Sequence, residues 1–187
     1  ASCRRRRLAA RVDACAMRKK VALLGTGVNP GFVMDLLPLV LSAVVSEVNS
    51  VRVVRRLDAS RRRKPLQAKV GATMTREQFE ALKAKNEIGH MGLAESIAMI
   101  AAGLGRSAAP GSIEVGLEPV IAEREIPSAL GTIKVGQVRG MRNTGKWSDG
   151  ALAIELDLLM AVGTDGPRDV VELDGPVPLR LEIAGGT

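Results

Sequence analysis

The chain contains 187 residues, of which 46% are hydrophobic but only 2% aromatic, and its formal net charge is +7. This length suffices for one domain with a sizeable core, which aliphatic side chains must fill. The excess positive charge lies in residues 1–20, which hold eight basic residues and one acidic residue, whereas the rest of the chain is balanced. A neutral body with few aromatic rings argues against a nucleic-acid-binding protein.

Residues 1–20 are predicted to be a disordered basic tail, the usual state of a dense block of like charges. A transit peptide and a cloning or reading-frame artefact are the alternatives for its origin. Cys3 and Cys15 both lie in this tail, and His90 is the single histidine. A zinc site is therefore not predicted. Nothing indicates a disulfide framework, so a reducing, cytoplasmic location is expected.

A glycine-rich turn follows the tail. Val21–Leu24 is predicted to be a short buried strand or an edge, and Asn29 with Pro30 to cap and open a helix. Such a unit presents free N–H groups to an anion or a polar ligand. It is an imperfect dinucleotide fingerprint, because Gly31 stands one residue later than the third glycine of that pattern. The chain alone is therefore expected to bind no nicotinamide cofactor with useful affinity.

The segment from Pro30 to Val48 is apolar on nearly every side, which is typical of a central core helix or a membrane span. Asp35 and Pro38 interrupt the apolar run well short of the roughly 20 residues that a span requires. A core helix that Pro38 kinks, or that begins slightly later, is therefore predicted, and no membrane association is expected.

The pattern of the remaining chain changes from helical to strand-like. A β-rich run, a basic loop and two helices come first, and runs of strand character separated by glycine and proline turns follow. These elements are Val51–Leu57, Asp58–Pro65, a capping-box helix from Thr75 to about Asn86, a helix over Leu93–Leu104, and four or five strands within Ile113–Ile183. The predicted fold is α+β: a mixed, largely antiparallel sheet with two or three helices packed on it, opened by the glycine-loop-to-helix unit.

Five stretches stand out in order along the chain: Gly25-Thr-Gly-Val-Asn-Pro-Gly-Phe-Val-Met-Asp35, Asp58-Ala-Ser-x-Arg-Arg63 with Gln67, Gly89-His-x-Gly-Leu-x-Glu-Ser-Ile-Ala-Met-Ile100, Leu117-Glu-Pro-Val-Ile-Ala122, and Asp174-Gly with Gly185-Gly186. Together they resemble the carboxy-terminal domain of 2,4-diaminopentanoate dehydrogenases, which are relatives of dihydrodipicolinate reductase. The resemblance covers about residues 21–187. It implies a substrate-binding and oligomerisation domain of a truncated dehydrogenase, without the Rossmann domain that precedes it in the family.

The resemblance also implies an activity for the parent protein, namely that of an NAD(P)-dependent oxidoreductase acting on CH–NH2 groups. Its substrate would be a small diamino acid such as 2,4-diaminopentanoate, which is oxidatively deaminated. NAD or NADP, bound mainly by the missing amino-terminal domain, would accept a hydride from the amine-bearing carbon before water hydrolyses the imine. The alternatives are a dihydrodipicolinate reductase-like imine reductase domain and a non-catalytic oligomerisation module.

The first candidate substrate-binding residues lie in the glycine turn: Thr26, Gly27, Asn29, Pro30 and Gly31. Free N–H groups of such a turn suit a carboxylate or an amide, and the family match places this turn at the interdomain cleft. The competing interpretation is local, because Asn29 is also a good helix cap and the glycines also shape a tight turn.

Three further candidates follow the turn. Asp35 could bind a substrate ammonium or simply favour the positive end of its helix. Arg62 belongs to the cluster Arg61–Lys64, whose forked donors suit a carboxylate, although a solvated loop is the commoner role of such a cluster. Gln67 follows and could orient the substrate through its amide. Asp58 ends a β-rich run, but it stands too far from the glycines to read a ribose.

His90 is the candidate catalytic residue. It is the single side chain of the chain with an ordinary pKa near neutrality, which suits a proton shuttle. A satisfied structural histidine at the start of a helix is the alternative role. Glu95 and Ser96, in the first turn of that helix, are explained by capping.

The last prediction concerns assembly into a homo-oligomer. Ile154, Leu156, Leu158 and Met160 alternate with Ala153, Glu155, Asp157 and Leu159, which is unusually aliphatic for a sheet that faces water on one side. Another subunit is expected to cover this sheet. The alternative is cover by the chain's own helices or by the missing Rossmann domain.

Overall fold

The structure is a computed structural model that describes residues 3–23, 31–165 and 168–184. Its strands are β1 (Ser50–Asp58), β2 (Glu114–Ile121), β3 (Val138–Ser148), β4 (Ala153–Ala161), β5 (Arg168–Asp174) and β6 (Leu179–Ala184). They form one six-stranded sheet in the order β2-β3-β4-β1-β5-β6. β1 and β4 are parallel, and the other four neighbouring pairs are antiparallel. The predicted α+β class with a largely antiparallel sheet is confirmed.

The two faces of this sheet differ because alternate residues of a strand point to opposite sides. On β1, Val51, Val53, Arg55 and Leu57 are buried, whereas Arg52 and Arg56 are exposed. The register places the four buried residues beside the buried set of β4, which is Ile154, Leu156, Leu158 and Met160. We call this side the inner face and the opposite side the outer face.

The chain's own helices cover the inner face. They are α2 (Leu36–Ser42), α3 (Lys64–Lys69), α4 (Arg76–Ala84) and α5 (Leu93–Gly103), after α1 (Cys3–Lys19) near the start of the chain. α5 packs on β2, β3 and β4, whereas α2 contacts α5 and β5. Gly145 permits the close approach of α5, since a Cβ atom there would lie only 2.8 Å from Ile97 Cδ1. The aliphatic set of β4 therefore lies on the face that α5 covers, which was the alternative to another subunit, and the homo-oligomer stays a prediction.

The predicted core helix over residues 30–48 is much shorter in the structure. α2 has seven residues, and residues 31–34 form a separate helical turn before Asp35. The predicted later start is correct: α2 begins at Leu36, and Pro38 is its third residue, where an N–H group has no partner within the helix. Leu36 and Val40 are 43% and 57% exposed, so one side of this apolar helix is not in the core.

The helices before the long strands follow their local signals. Thr75 and Gln78 form both hydrogen bonds of a capping box at the start of α4, and Phe79 is fully buried beneath it. α5 ends at Gly103, as the glycines at its end predict. The basic loop after β1 is shorter than expected, because α3 already begins at Lys64 with Pro65 in its first turn.

The beginning of the chain differs from its prediction. The basic segment expected to be disordered is the helix α1 in the structure, and almost all of its described side chains are exposed. Arginine, alanine, lysine and methionine are good helix formers, so this helix needs no packing contact. Val21 and Leu23, expected in a buried strand, are 59% and 69% exposed and lie outside the sheet. None of the helices described is both long and apolar enough to cross a membrane.

Candidate functional site

A cavity of about 460 Å³ opens between the start of α5 and strands β2 and β3. Its volume falls in the range of roughly 300–1,000 Å³ that is typical of small-molecule sites. The wall is mostly apolar and includes Ile88, Leu93, Val115 and Leu117. The polar residues of its lining are Lys83, Asn86, His90, Glu95, Asn143 and Thr144. An apolar cavity with a few polar groups suits a small ligand with a charged or polar end.

A glycine-bounded turn places His90 at this cavity. Gly89 and Gly92 have φ angles of 114° and 121°, which a residue with a side chain rarely adopts. A Cβ atom on Gly89 would also lie 2.9 Å from Leu117 Cδ2, so only glycine fits between the turn and β2. The carbonyl of Gly92 accepts a hydrogen bond from the Ser96 amide, which begins α5 directly after the turn. The spacing Gly-His-x-Gly therefore fixes where the imidazole lies.

The turn is tied to the sheet through Asn143. The His90 amide donates a hydrogen bond to Asn143 Oδ1 at 3.3 Å, and Asn143 is only 6% exposed. Since an asparagine inside a core needs partners, this bond both satisfies the amide oxygen and holds the turn against β3.

Asn143 belongs to a row of polar residues on the inner face. Residues that lie side by side on neighbouring strands form rows across the sheet. Taken in the order β5, β1, β4 and β3, two adjacent rows are Leu173–Val51–Ile154–Trp147 and Val171–Val53–Leu156–Gly145. The next row is Asp169–Arg55–Leu158–Asn143, and the row after it, on three strands, is Leu57–Met160–Met141. We call Asp169, Arg55 and Asn143 the polar row. An isolated set of polar residues in an otherwise apolar face is costly and points to a use other than packing.

Arg55 and Asp169 are the charged members of the polar row. Their side chains are only 1% and 4% exposed, and Arg55 Nε lies 3.7 Å from Asp169 Oδ1. Burial lowers the pKa of Arg55, and Asp169 opposes that change. Burial likewise raises the pKa of Asp169, and Arg55 opposes it. An arginine stays charged despite burial, so the polar row contains a permanent buried cation.

His90 is held in its neutral form. Burial lowers its pKa below the ordinary 6.5, and the positive charges of Lys69 and Arg55 lower it further. Its Nε2 atom is buried, and no group among the described residues forms a hydrogen bond with it. His90 itself lines the adjoining cavity, and a neutral imidazole there can act as a proton acceptor.

The other predicted site residues have mostly structural contacts. Gln67 is fully buried, and its Nε2 lies within hydrogen-bond distance of the carbonyl oxygens of Ala59, Ser60 and Arg62. Its Oε1 accepts a hydrogen bond from the Ala129 amide. The Gln67 amide thus joins the basic loop to the β2–β3 connection and leaves little for a ligand. Arg62 is exposed on that loop, away from the lining of the His90 cavity.

Asp35 joins two of the sequence motifs. Its Oδ1 accepts a hydrogen bond from the Leu36 amide at 2.6 Å and caps α2, while its Oδ2 accepts one from Ser96 Oγ at 3.2 Å. These contacts explain Asp35 without a substrate ammonium. Gly31 has a φ of 25°, and the position that a Cβ atom would take there is open space. Thr26, Gly27, Asn29 and Pro30 lie outside the described residues, and their proposed role stays a prediction.

The sequence analysis missed the polar row. Of the three arginines of β1, Arg55 alone occupies an apolar position in the alternation Val51, Val53, Arg55, Leu57. A charge in phase with the buried residues of a strand is the signal that could have revealed it. Asn143 carries no comparable signal, because the strand that contains it is polar on both sides of that position.

Comparisons with known proteins agree with this architecture. The sequence profile described as the 2,4-diaminopentanoate dehydrogenase C-terminal domain matches residues 32–166. The 2,4-diaminopentanoate dehydrogenase of Acetoanaerobium sticklandii is 35% identical over 153 residues, which are 80% of this chain and 43% of that protein. An amine dehydrogenase structure from Mycobacterium smegmatis matches with a TM-score of 0.73 at 18% identity, over 85% of this chain and 48% of the other. The chain thus spans about half the length of these relatives.

Proposed function

Since the chain belongs to the family of 2,4-diaminopentanoate dehydrogenase C-terminal domains, we propose that it binds the substrate of an NAD(P)-dependent amine dehydrogenase. The substrate is a small diamino acid such as 2,4-diaminopentanoate, and the reaction is its oxidative deamination. The observation that carries the proposal is the cavity beside His90, which combines an apolar wall with a neutral imidazole and the Glu95 carboxylate.

The cofactor does not fit the described residues. In the part of the chain that the structure describes, β1 and β4 are the one parallel pair, and the turn after β1 is Asp58-Ala-Ser-Arg, which contains no glycine to cradle a pyrophosphate. Asp58 Oδ1 accepts hydrogen bonds from the Ser60 amide and hydroxyl and from the Gly163 amide, so it braces this turn. We therefore assign the dinucleotide to a different domain and derive no step through it here.

This domain contributes binding and proton transfer. The hydrocarbon part of a diamino acid matches the wall formed by Leu93, Val115 and Leu117, and its ammonium groups match the Glu95 carboxylate. An amine must lose a proton before its carbon is oxidised, because an ammonium nitrogen has no lone pair to form the imine. His90 lines the cavity, and its lowered pKa favours the neutral imidazole that can accept that proton. The five-carbon chain of such a substrate is short enough for the cavity to enclose.

A titration of the isolated chain tests this proposal. Because the chain has a single histidine, its imidazole gives one set of NMR signals. We expect 2,4-diaminopentanoate to shift these signals saturably in the millimolar range, and Leu117→Trp, which fills the cavity, to abolish the shift. Leu130→Trp adds the same bulk on an exposed loop and is the control. Absence of any shift from the unmodified chain would show that this cavity is not the substrate site.

A second proposed role is assembly into a homo-oligomer through the outer face. The observation that favours it is a hollow of about 1070 Å³ on that face, lined by Val54, Val120 and Leu159 between arginines and acidic residues. Arg56, Arg124, Glu118 and Glu123 also line it, so a second copy can offer charges of the opposite sign. We expect light scattering to show a dimer or larger species that Leu159→Glu disperses, with Ala153→Glu as the matched control. A monomer before substitution would contradict this role.

A further inference from the structure

We propose that Asp169 is a positioning residue: it anchors and partly neutralises the buried Arg55 guanidinium, and through that charge it sets how strongly the His90 imidazole holds a proton. The inference rests on the proposed function for the catalytic use of His90. The charge arrangement itself is a property of this chain and can be measured without any enzymatic activity.

The first argument is the position of the pair. Arg55 on β1 and Asp169 on β5 are directly opposed in the antiparallel register, and both side chains are almost fully buried. The adjoining rows of the inner face fill the same depth with leucine, valine, isoleucine and tryptophan. Packing therefore requires no charge at this level. Replacing such a pair with apolar residues is often neutral or stabilising, so its presence points to a role other than stability.

The second argument is the geometry of the pair. Arg55 Nε and Asp169 Oδ1 are 3.7 Å apart, which is an ion pair without a hydrogen bond between those two atoms. Asp169 Oδ1 is buried and forms no hydrogen bond with the described residues. The carboxylate thus acts on the guanidinium by charge, and its short side chain fixes where the counter-charge lies. Among the described side chains, Asp169 is the acid that forms an ion pair with Arg55.

The third argument is the path from Arg55 to His90. Arg55 and Asn143 lie on the same row, separated by one strand, which places their Cα atoms roughly 10 Å apart. Asn143 Oδ1 holds the His90 amide, so the histidine turn lies at the level of the polar row. A charge in a poorly solvated interior acts over such a distance without contact, because little water screens it.

The fourth argument is the balance of charge around His90. Lys69 on α3 and Arg55 on β1 act on the imidazole, Lys83 on α4 and Glu95 on α5 line its cavity, and β3 contributes the neutral Asn143. Three cations therefore face one acid. Asp169, behind Arg55, is the counter-charge that limits this excess. Without it, the imidazole would bind a proton less strongly and would be a weaker general base.

An NMR titration of the single histidine tests the proposal. We expect the pKa of His90 to fall in Asp169→Asn by about 0.4 pH unit, the size expected of a unit charge three strands, or roughly 15 Å, away at an effective dielectric constant of about 40. In Asp169→Glu, which restores the charge, we expect a value close to that of the original chain. In the double variant Arg55→Met/Asp169→Leu, which removes both charges, we expect the pKa of His90 to rise.

The control is Glu172→Gln, which removes an arginine-paired acid from the same strand but on the outer face. Its His90 pKa should be unchanged. If Asp169→Asn does not fold, the double variant still decides the question, because it leaves no buried charge unpaired. A His90 pKa that is the same in the original chain and in Asp169→Asn would overturn the proposal. So would a rise in the double variant of the full ~0.6 pH unit that loss of an unopposed charge roughly 10 Å away would give, because Asp169 should make that rise smaller. Failure of the substrate titration alone would refute the proposed function and leave this inference intact.

Discussion

The two faces of the sheet use the same pair of residue types with opposite consequences. On the outer face, Arg142 donates two hydrogen bonds to Asp157, at 2.9 Å and 2.7 Å, and the arginine side chain is 49% exposed. On the inner face, Arg55 and Asp169 meet at 3.7 Å and are almost completely buried. The shorter contacts lie where water weakens an ion pair, and the longer contact lies where burial makes the loss of one partner costly.

The outer face continues this pattern as a chain of charges. Lys146, Glu155, Arg52, Glu172 and Arg180 follow one another across β3, β4, β1, β5 and β6 with N–O distances between 3.0 Å and 3.9 Å. Each link joins neighbouring strands. Exposed networks of this kind contribute little free energy per pair. The comparison teaches that burial, not hydrogen-bond length, decides how much the loss of one partner of an ion pair changes the free energy of unfolding.

The largest effect is expected from breaking the inner pair. Arg55→Met leaves the Asp169 carboxylate buried without its counter-charge, which should lower the free energy of unfolding by about 3–5 kcal/mol. Urea denaturation measures the loss. Arg55→Met/Asp169→Leu should recover most of it, because neither charge remains. Equal losses in the single and double variants would mean that packing, not charge, is responsible.

Two leucine-to-alanine substitutions compare how tightly the inner and outer faces are packed. Leu156 is fully buried on the inner face, so Leu156→Ala should lower the free energy of unfolding by about 2–5 kcal/mol through lost contacts and a cavity. Leu159, three positions later on the outer face, is half-buried, and Leu159→Ala should cost clearly less. Thermal unfolding compares the two variants. Similar losses would show that the outer face is buried in solution by another chain.

Breaking the outer pair should have a small effect. Arg142→Met should lower the free energy of unfolding by only about 0.2–1 kcal/mol, because the exposed pair is screened by water. The loss should shrink further in high salt, and the difference between low and high salt is the measurement. A salt-independent loss as large as that of the inner pair would contradict the comparison.

The smallest expected effect is a pH dependence of stability from His90. Its pKa is lower in the folded chain than the ordinary 6.5, so the unfolded chain binds more protons between the two values. Stability should therefore be full above pH 6.5 and fall as the pH drops through 6.5 towards the lower folded value. Denaturation across this window measures it, and His90→Gln should flatten the curve there. An unchanged curve in His90→Gln would show that the histidine is not shifted.

Much of the fold follows from local sequence. The Thr75–Gln78 capping box, the glycines that end α5 and the alternation in β1 and β4 are signals within a few residues, and the structure has each element. Only part of the candidate site could be predicted from such local signals. His90 was predicted from its chemistry, and it lines the cavity, but its catalytic role stays a prediction. Gln67 and Asp35 have contacts that nothing in their neighbourhood indicates. Their partners lie up to 62 residues away along the chain.

The sequence by itself determined the family, the order of helices and strands, and the side of each strand that is apolar, because motifs and periodicity are local properties. The tertiary structure alone decided that β1 lies between β4 and β5, with Arg55 opposite Asp169 and level with Asn143. Such a register depends on how the whole inner face packs under α2 and α5, since strands about 100 residues apart have no local signal that aligns them. The charged environment of His90 is a product of that register.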